Sequence, residues 1–242
     1  MRRAAVLLAL ILSLAAPARA APCGAGDDLI EPIPLPATSA AISQRALSVL
    51  VVGSASVMGP GSSGPSSAYP SRLEGLLRRV YPEVRVEVVA RGGRGLMAAD
   101  HAALIRDAMR ELRPGLVLWQ AATVEAVRGS DIAEMTEALR AGTEAVRSGG
   151  ADLIVLDPQW SRFLRANADV EPYRDALRAA AVAEGAGFLS RYDLMRAWAE
   201  AETVDVERAP RERRTAEVDK LNDCLARSLA QFVTAGVAGA RR

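Results

Sequence analysis

Short apolar runs alternate with longer amphipathic stretches along this chain. The β-branched run at residues 46–52, which stops at Gly53, is typical of a strand buried on both faces. Similar runs follow at residues 84–89, 116–119, 152–156 and, more briefly, 188–189. Apolar positions at helical spacing predict helices over residues 72–80, 104–112, 131–148, 169–184, 192–202 and 215–233. Because crossovers between parallel strands are right-handed, this alternation predicts an α/β three-layer α/β/α sandwich with a five-stranded parallel sheet.

The N-terminal residues have the features of a targeting segment. Two arginines precede an apolar run at residues 4–16, which is too short to span a bilayer comfortably, and a small-x-small cleavage pattern ends at Ala20. We expect an exported protein, periplasmic or secreted, with no membrane span after cleavage. An uncut membrane anchor and a lipid anchor on Cys23 are the alternatives. The predicted division is a signal peptide at 1–20, an extended, proline-rich lead-in at 21–46 and the α/β domain at 47–242.

The two cysteines allow a single disulfide. Export would place Cys23 and Cys224 in an oxidising compartment, where such a bond persists. The alternative is a pair of free thiols, one of them buried as a small hydrophobic side chain. We favour a structural disulfide that ties the mature N-terminus to the last predicted helix.

Composition excludes several function classes. Lys+Arg 30 against Asp+Glu 29 gives a net charge of +1, which argues against nucleic-acid binding, since phosphate recognition needs a basic face. With one histidine and two cysteines, no metal site built from these residues is expected, and no cofactor motif is present. His101 is the single candidate for a histidine base, although its place on a predicted helix favours a surface or half-buried position.

Candidate binding residues follow the predicted strands, because ligands of open α/β sheets bind beyond the carboxyl ends of the strands. An aromatic ring beside amide and carboxyl groups suits a sugar. The glycine-rich loop at residues 91–95 either binds an anion or forms a simple tight turn. It lacks the lysine and hydroxyl of a P-loop, which argues against a nucleotide-phosphate site. The residues expected to border a cleft are Arg94, Gln120, Asp157 and Trp160.

Four blocks of sequence at these strand ends resemble those of a known family. The blocks are Val51-Val-Gly-Ser-Ala-Ser-Val-Met-Gly59, Arg91-Gly-Gly-Arg-Gly95, Trp119-Gln-Ala-Ala-Thr-Val-Glu125 and residues 213–226. In order and strand context they are similar to the blocks of the SGNH (GDSL-type) ester hydrolases, over residues 47–229. The resemblance implies the same sandwich fold.

The same comparison implies that the catalytic residues of this family are replaced. Ala55 stands where the resemblance places the serine nucleophile, and Val124 stands where it places the asparagine of the oxyanion hole. Counting back from the last cysteine puts the aspartate and histidine positions at Arg213 and Ala216. Gly95 keeps its backbone N–H as an oxyanion donor.

Three hypotheses follow from these replacements. The first is a non-catalytic protein that binds a carbohydrate, an acylated glycan or an envelope protein in the former cleft. The second is a divergent ester hydrolase, such as an acyl-glycan deacetylase, that uses Ser54 or Ser56. It would need His101, Lys220 or a carboxylate as its base, because a free serine hydroxyl is a poor nucleophile. The third is a structural envelope module whose cleft is filled.

Overall fold

A five-stranded parallel sheet forms the middle layer of the computed structural model, which describes residues 23–242. The strands are β1 (Ala46–Gly53), β2 (Arg85–Gly92), β3 (Leu116–Gln120), β4 (Asp152–Leu156) and β5 (Gly187–Leu189), in the sheet order β2-β1-β3-β4-β5. The predicted signal peptide lies outside the described residues.

Helices cover both faces of the sheet, so the predicted three-layer α/β/α fold is confirmed. Alternate strand residues point to opposite faces. Val49 and Val51 belong to one hydrophobic core, whereas Leu50 and Val52 belong to a second core on the opposite face. The helices are α1 (Pro36–Ser43), α2 (Tyr69–Val80), α3 (Ala98–Glu111), α4 (Thr123–Arg128), α5 (Ile132–Ser148), α6 (Arg162–Asn167), α7 (Glu171–Ala183), α8 (Arg191–Glu200) and α9 (Arg214–Ala240).

The structure corrects the prediction at several places. The predicted lead-in is not extended throughout, because Pro36 starts α1 at a position where its missing N–H costs nothing. Two short helices, α4 and α6, were not predicted. The last helix runs on to Ala240 instead of ending at residue 233, since its final turns pack on the N-terminal segment through a hydrogen bond from the Leu35 N–H to the Gly236 carbonyl.

The carboxyl ends of the strands meet at one edge of the sheet. Gly53 pairs with Gly92, and Leu156 pairs with both Gln120 and Leu189. The segments that follow these strands therefore form a common surface, where the residues singled out in the sequence analysis are expected.

The predicted disulfide is confirmed: Cys23 and Cys224 are bonded, with their Cα atoms 5.5 Å apart. It ties the first described residue to α9 and indicates an oxidising environment. Within residues 23–242, none of the helices has the length and apolarity needed to cross a membrane.

Candidate functional site

The turn after β1 holds the position that the sequence assigns to a nucleophile. Ala55–Met58 form a single 3-10 turn, and Val57 is its buried anchor. A Cβ built on Gly92 would lie only 1.9 Å from the Gly53 carbonyl oxygen, so this close approach of β2 to β1 needs glycine. With Val57 held inside, Ser54, Ala55 and Ser56 stay half-buried at the carboxyl edge of the sheet.

Gln120 connects this turn to the sheet and to α2. It ends β3, is 2% exposed, and its Nε2 donates to Ser56 Oγ at 2.6 Å and, at the longer distance of 3.5 Å, to Ser54 Oγ. The Tyr69 hydroxyl donates to Gln120 Oε1 at 3.5 Å. Burial raises the pKa of Tyr69 above its ordinary value, so this hydroxyl keeps its proton.

Arg191 is a nearly buried cation on the other side of Ser56. It follows β5 as the first residue of α8 and is 3% exposed. Its Nη1 donates to Ser56 Oγ at 3.4 Å and its Nη2 to Gln159 Oε1 at 3.4 Å, whereas its Nε has no hydrogen-bond partner among the described residues. Burial lowers the pKa of Arg191, but a guanidinium stays protonated in proteins.

Ser56 Oγ therefore accepts from two N–H donors. The hydrogen-bond partners of Ser54 and Ser56 side chains within residues 23–242 are Gln120 and Arg191, neither of which can accept a proton from a hydroxyl through these nitrogens. A serine needs a positioned acceptor to become a nucleophile. Within residues 23–242, these contacts hold the Ser56 hydroxyl between two N–H donors.

Two candidate bases, Lys220 and the carboxylate of Glu125, have hydrogen-bond partners away from Ser56. Lys220 is exposed, as expected, and its ammonium donates to the Thr203 carbonyl. Glu125 is buried, and its carboxylate accepts from the Ala98 N–H at the start of α3. This contact fixes α4 against α3, a role that the sequence did not predict.

The predicted surface or half-buried position of His101 is wrong, because this side chain is buried (1% exposed). Neither of its ring nitrogens forms a hydrogen bond within the described residues. Burial lowers the pKa of His101 to about 4, and the opposing effects of Asp100 and of the Gly53 carbonyl offset this only in part. The ring is neutral at physiological pH and lies under the end of β1, in the core.

Gly95 of the second block lies beside α4, the helix that also carries Val124 of the third block. Gly95 takes a left-handed conformation with φ +79°, and a Cβ built there would lie 3.3 Å from a guanidinium nitrogen of Arg128, in α4. Val124, on the same helix, is half-buried and has no side-chain donor. The position that the resemblance assigns to an oxyanion donor is thus occupied by an apolar side chain.

The final block lies at the start of α9. Arg213 and Ala216 are both exposed. Arg213 borders a cavity of about 260 Å³ that Asp205 and Arg208 also line. Asp219 on α9 accepts from the Ser63 N–H, which places this helix beside the loop that follows β1.

The predicted cleft residues have different surroundings. Gln120 lies in the site and Arg94 is exposed at its edge. Asp157 is fully buried and does not border a cleft, because Arg174 and the Tyr192 N–H draw it into the protein. Trp160 is 7% exposed, with the Arg162 guanidinium 4.8 Å above its ring.

The loop after β2 forms a tight turn with an ion pair. Arg91 Nη2 lies 2.5 Å from Glu111 Oε2, so this arginine already has an anionic partner. Across residues 23–242, no group of three or more His, Cys, Asp or Glu side chains is arranged to hold a metal ion.

Family comparison decides the relationship. A model of the Non-GDSL lipase-like family matches residues 22–239. The chain belongs to this family. No curated protein matches it significantly. The SGNH (GDSL-type) resemblance read from the four sequence blocks is confirmed by this match and by the solved structures that share the fold.

Among solved structures, this Non-GDSL lipase-like chain is similar to TesA, with a TM-score of 0.57 and 19% identity over 76% of this chain and 99% of that one. It is also similar to a catalytic mutant of Axe2, an acetylxylan esterase from Geobacillus stearothermophilus (TM-score 0.59, 17% identity, 77% and 94% covered). The psychrotrophic esterase EstA from Pseudoalteromonas sp. has a TM-score of 0.54 and 10% identity, with 75% and 98% covered. At these identities the likeness shows the fold.

Sequence reasoning missed Arg191, the most unusual side chain in the site of this Non-GDSL lipase-like protein. The cleft residues predicted from the sequence lie at or after the ends of β2, β3 and β4, whereas Arg191 lies after β5. Leu189 ends β5, and Arg191 follows two residues later. The rule that ligands bind beyond the carboxyl ends of strands, extended to the fifth strand, would have found it.

Proposed function

We propose that this protein is an exported, non-catalytic member of its family that binds a ligand at the carboxyl edge of the sheet, around Ser56. The observation that carries the proposal is the pair of N–H donors on Ser56 Oγ, from Gln120 and Arg191, with Ala55 at the nucleophile position. A carbohydrate, an acylated glycan or an envelope protein is the proposed ligand class.

Loss of catalysis is expected because nucleophile, base and one oxyanion donor are replaced together. Members of such a triad act as a unit, and losing any of them lowers the rate by several powers of ten. The Ala55 side chain has no atom that can attack an ester, and the Val124 side chain offers no donor to an oxyanion. The buried polar network around Ser56 nevertheless persists, and polar groups at a strand end suit ligand binding.

Export is supported by the disulfide and by the apolar run that precedes it. The bond between Cys23 and Cys224 suits the periplasm or the medium. A cytoplasmic location would leave this bond open to reduction.

The proposal is tested with a fluorophosphonate serine probe and intact-mass analysis of the mature, folded protein. We expect no adduct on the natural chain. An Ala55→Ser variant is the matched control for a hydroxyl at the family position, and it should also stay unlabelled because no base is restored. An active GDSL-type esterase shows that the probe works.

A divergent hydrolase is the second candidate, favoured by the same donor pair. Two N–H donors, one of them cationic, would stabilise negative charge on Ser56 Oγ. This candidate predicts one adduct that maps to Ser56, disappears in Ser56→Ala and survives in Ser54→Ala. That outcome would overturn the non-catalytic proposal, and loss of the adduct in His101→Ala would identify the base.

A further inference from the structure

Arg191 is a buried cation without an anionic partner of its own. It is 3% exposed, and none of the ion pairs within the described residues includes it. Its two hydrogen bonds, both at 3.4 Å, go to neutral oxygens, and its Nε has none. A buried charge is costly unless it is paired, so this arrangement lacks a counter-ion.

The nearest acid is committed to other groups. Asp157 attracts Arg191 through space, but its Oδ1 accepts from the Tyr192 N–H at 2.8 Å and its Oδ2 from Arg174 Nε at 2.9 Å. Ser190 Oγ also lies 3.3 Å from Oδ2. The remaining titratable group that faces Arg191 is Tyr69, whose hydroxyl keeps its proton. Within residues 23–242, no carboxylate therefore forms an ion pair with Arg191.

The neighbouring hydroxyl provides a route from this cation to the surface. Ser56 is half-buried, and its Oγ accepts from Arg191 and Gln120 on the protein side. Because Oγ accepts in both contacts, the single proton of the Ser56 hydroxyl is left to donate to another acceptor. Contact with the Arg191 guanidinium makes this hydroxyl a stronger donor.

We propose that the ligand of this site carries an anionic oxygen group, a carboxylate or a phosphate, which accepts a hydrogen bond from Ser56 and neutralises Arg191. This inference rests on the proposed function and specifies its ligand as acidic. A guanidinium provides donors in a planar fork that suit either group.

Thermal unfolding in the presence of sodium acetate or inorganic phosphate, at constant ionic strength, tests the inference. The wild-type melting temperature should rise by about 3–6 °C at tenfold excess of anion over its Kd. The rise should be absent in Arg191→Met. The matched control is Arg79→Met, which removes one exposed arginine on α2 and should respond like the wild type. The response to acetate against phosphate identifies the group.

A second measurement requires no variant to fold. In a spectrum of the arginine Nε–H groups, the Arg191 resonance of the wild-type protein should shift saturably with the anion. An unmoved resonance, or an equal rise of melting temperature in Arg191→Met, overturns the inference. These results are separable from the proposed function, because an unlabelled protein that ignores both anions would overturn the acidic ligand and leave the non-catalytic proposal standing.

Discussion

Asp157 and His101 should give opposite pH dependences of stability, which largely cancel in the natural protein. Burial raises the pKa of Asp157 from 3.8 to about 6, and burial lowers the pKa of His101 from 6.5 to about 4. Both groups therefore titrate differently in the folded and unfolded states over the same acidic range. Stability changes with pH wherever the two states bind different numbers of protons.

For Asp157, the folded state binds more protons between pH 3.8 and about 6, so its contribution to the free energy of unfolding falls as pH rises through this window. The pKa difference corresponds to about 3 kcal/mol in total, of which roughly 2 kcal/mol falls between pH 4 and 7. Removing the carboxyl in Asp157→Asn should abolish this fall. Asparagine keeps an oxygen for the Tyr192 N–H.

For His101, the unfolded state binds more protons between about pH 4 and 6.5, so stability is fully present above pH 6.5 and is lost as pH falls through this window. The corresponding loss is roughly 3 kcal/mol. His101→Leu should abolish it, and leucine leaves no unpaired nitrogen in the core.

Urea unfolding, followed by circular dichroism at about pH 4 and pH 7 with the disulfide intact, measures both effects. The free energy of unfolding of Asp157→Asn, relative to the wild type, should be roughly 2 kcal/mol higher at pH 7 than at pH 4. For His101→Leu the same difference should be roughly 3 kcal/mol higher at pH 4 than at pH 7. Only the change with pH is compared, since each substitution also alters packing or an ion pair. The reasoning would be refuted if both differences in the free energy of unfolding stayed constant with pH, or if they changed with the opposite sign.

Two further substitutions test the framework around the site. Replacing Cys23 with Ser opens a loop that spans 201 residues of sequence, and a chain-entropy model puts the loss of unfolding free energy at about 5 kcal/mol. Calorimetry of the oxidised protein and of the variant measures this loss. An unchanged melting temperature would contradict the assignment of a structural disulfide. Gly92→Ala brings a Cβ to 1.9 Å from the Gly53 carbonyl oxygen and should cost more than about 3 kcal/mol. Gly150→Ala is its control, because φ is +72° there but no atom lies within 4 Å, so only about 1 kcal/mol is expected. Equal losses in the two variants would show that the close approach at Gly92 has no energetic consequence.

The positions of the five strands and most of the helices were predictable from local pattern. A run such as residues 46–52 is apolar at successive positions because both faces of a parallel strand are covered. Local pattern is weaker for α1, α4 and α6, which have eight residues or fewer and are stabilised by their surroundings. The prolines in the lead-in indicated extended chain, but one of them instead starts α1.

The amino-acid sequence alone determined the sheet, the single possible disulfide and the absence of a serine at position 55, because each depends on residue identity or on short-range periodicity. The partners of each polar side chain depended on the tertiary structure. Ser56 and Arg191 are 135 positions apart in the sequence. They are in contact because β1 and β5 end at the same edge of the sheet. Burial of His101 and of Asp157 likewise depends on neighbours from distant segments, and it is this burial that sets their charge.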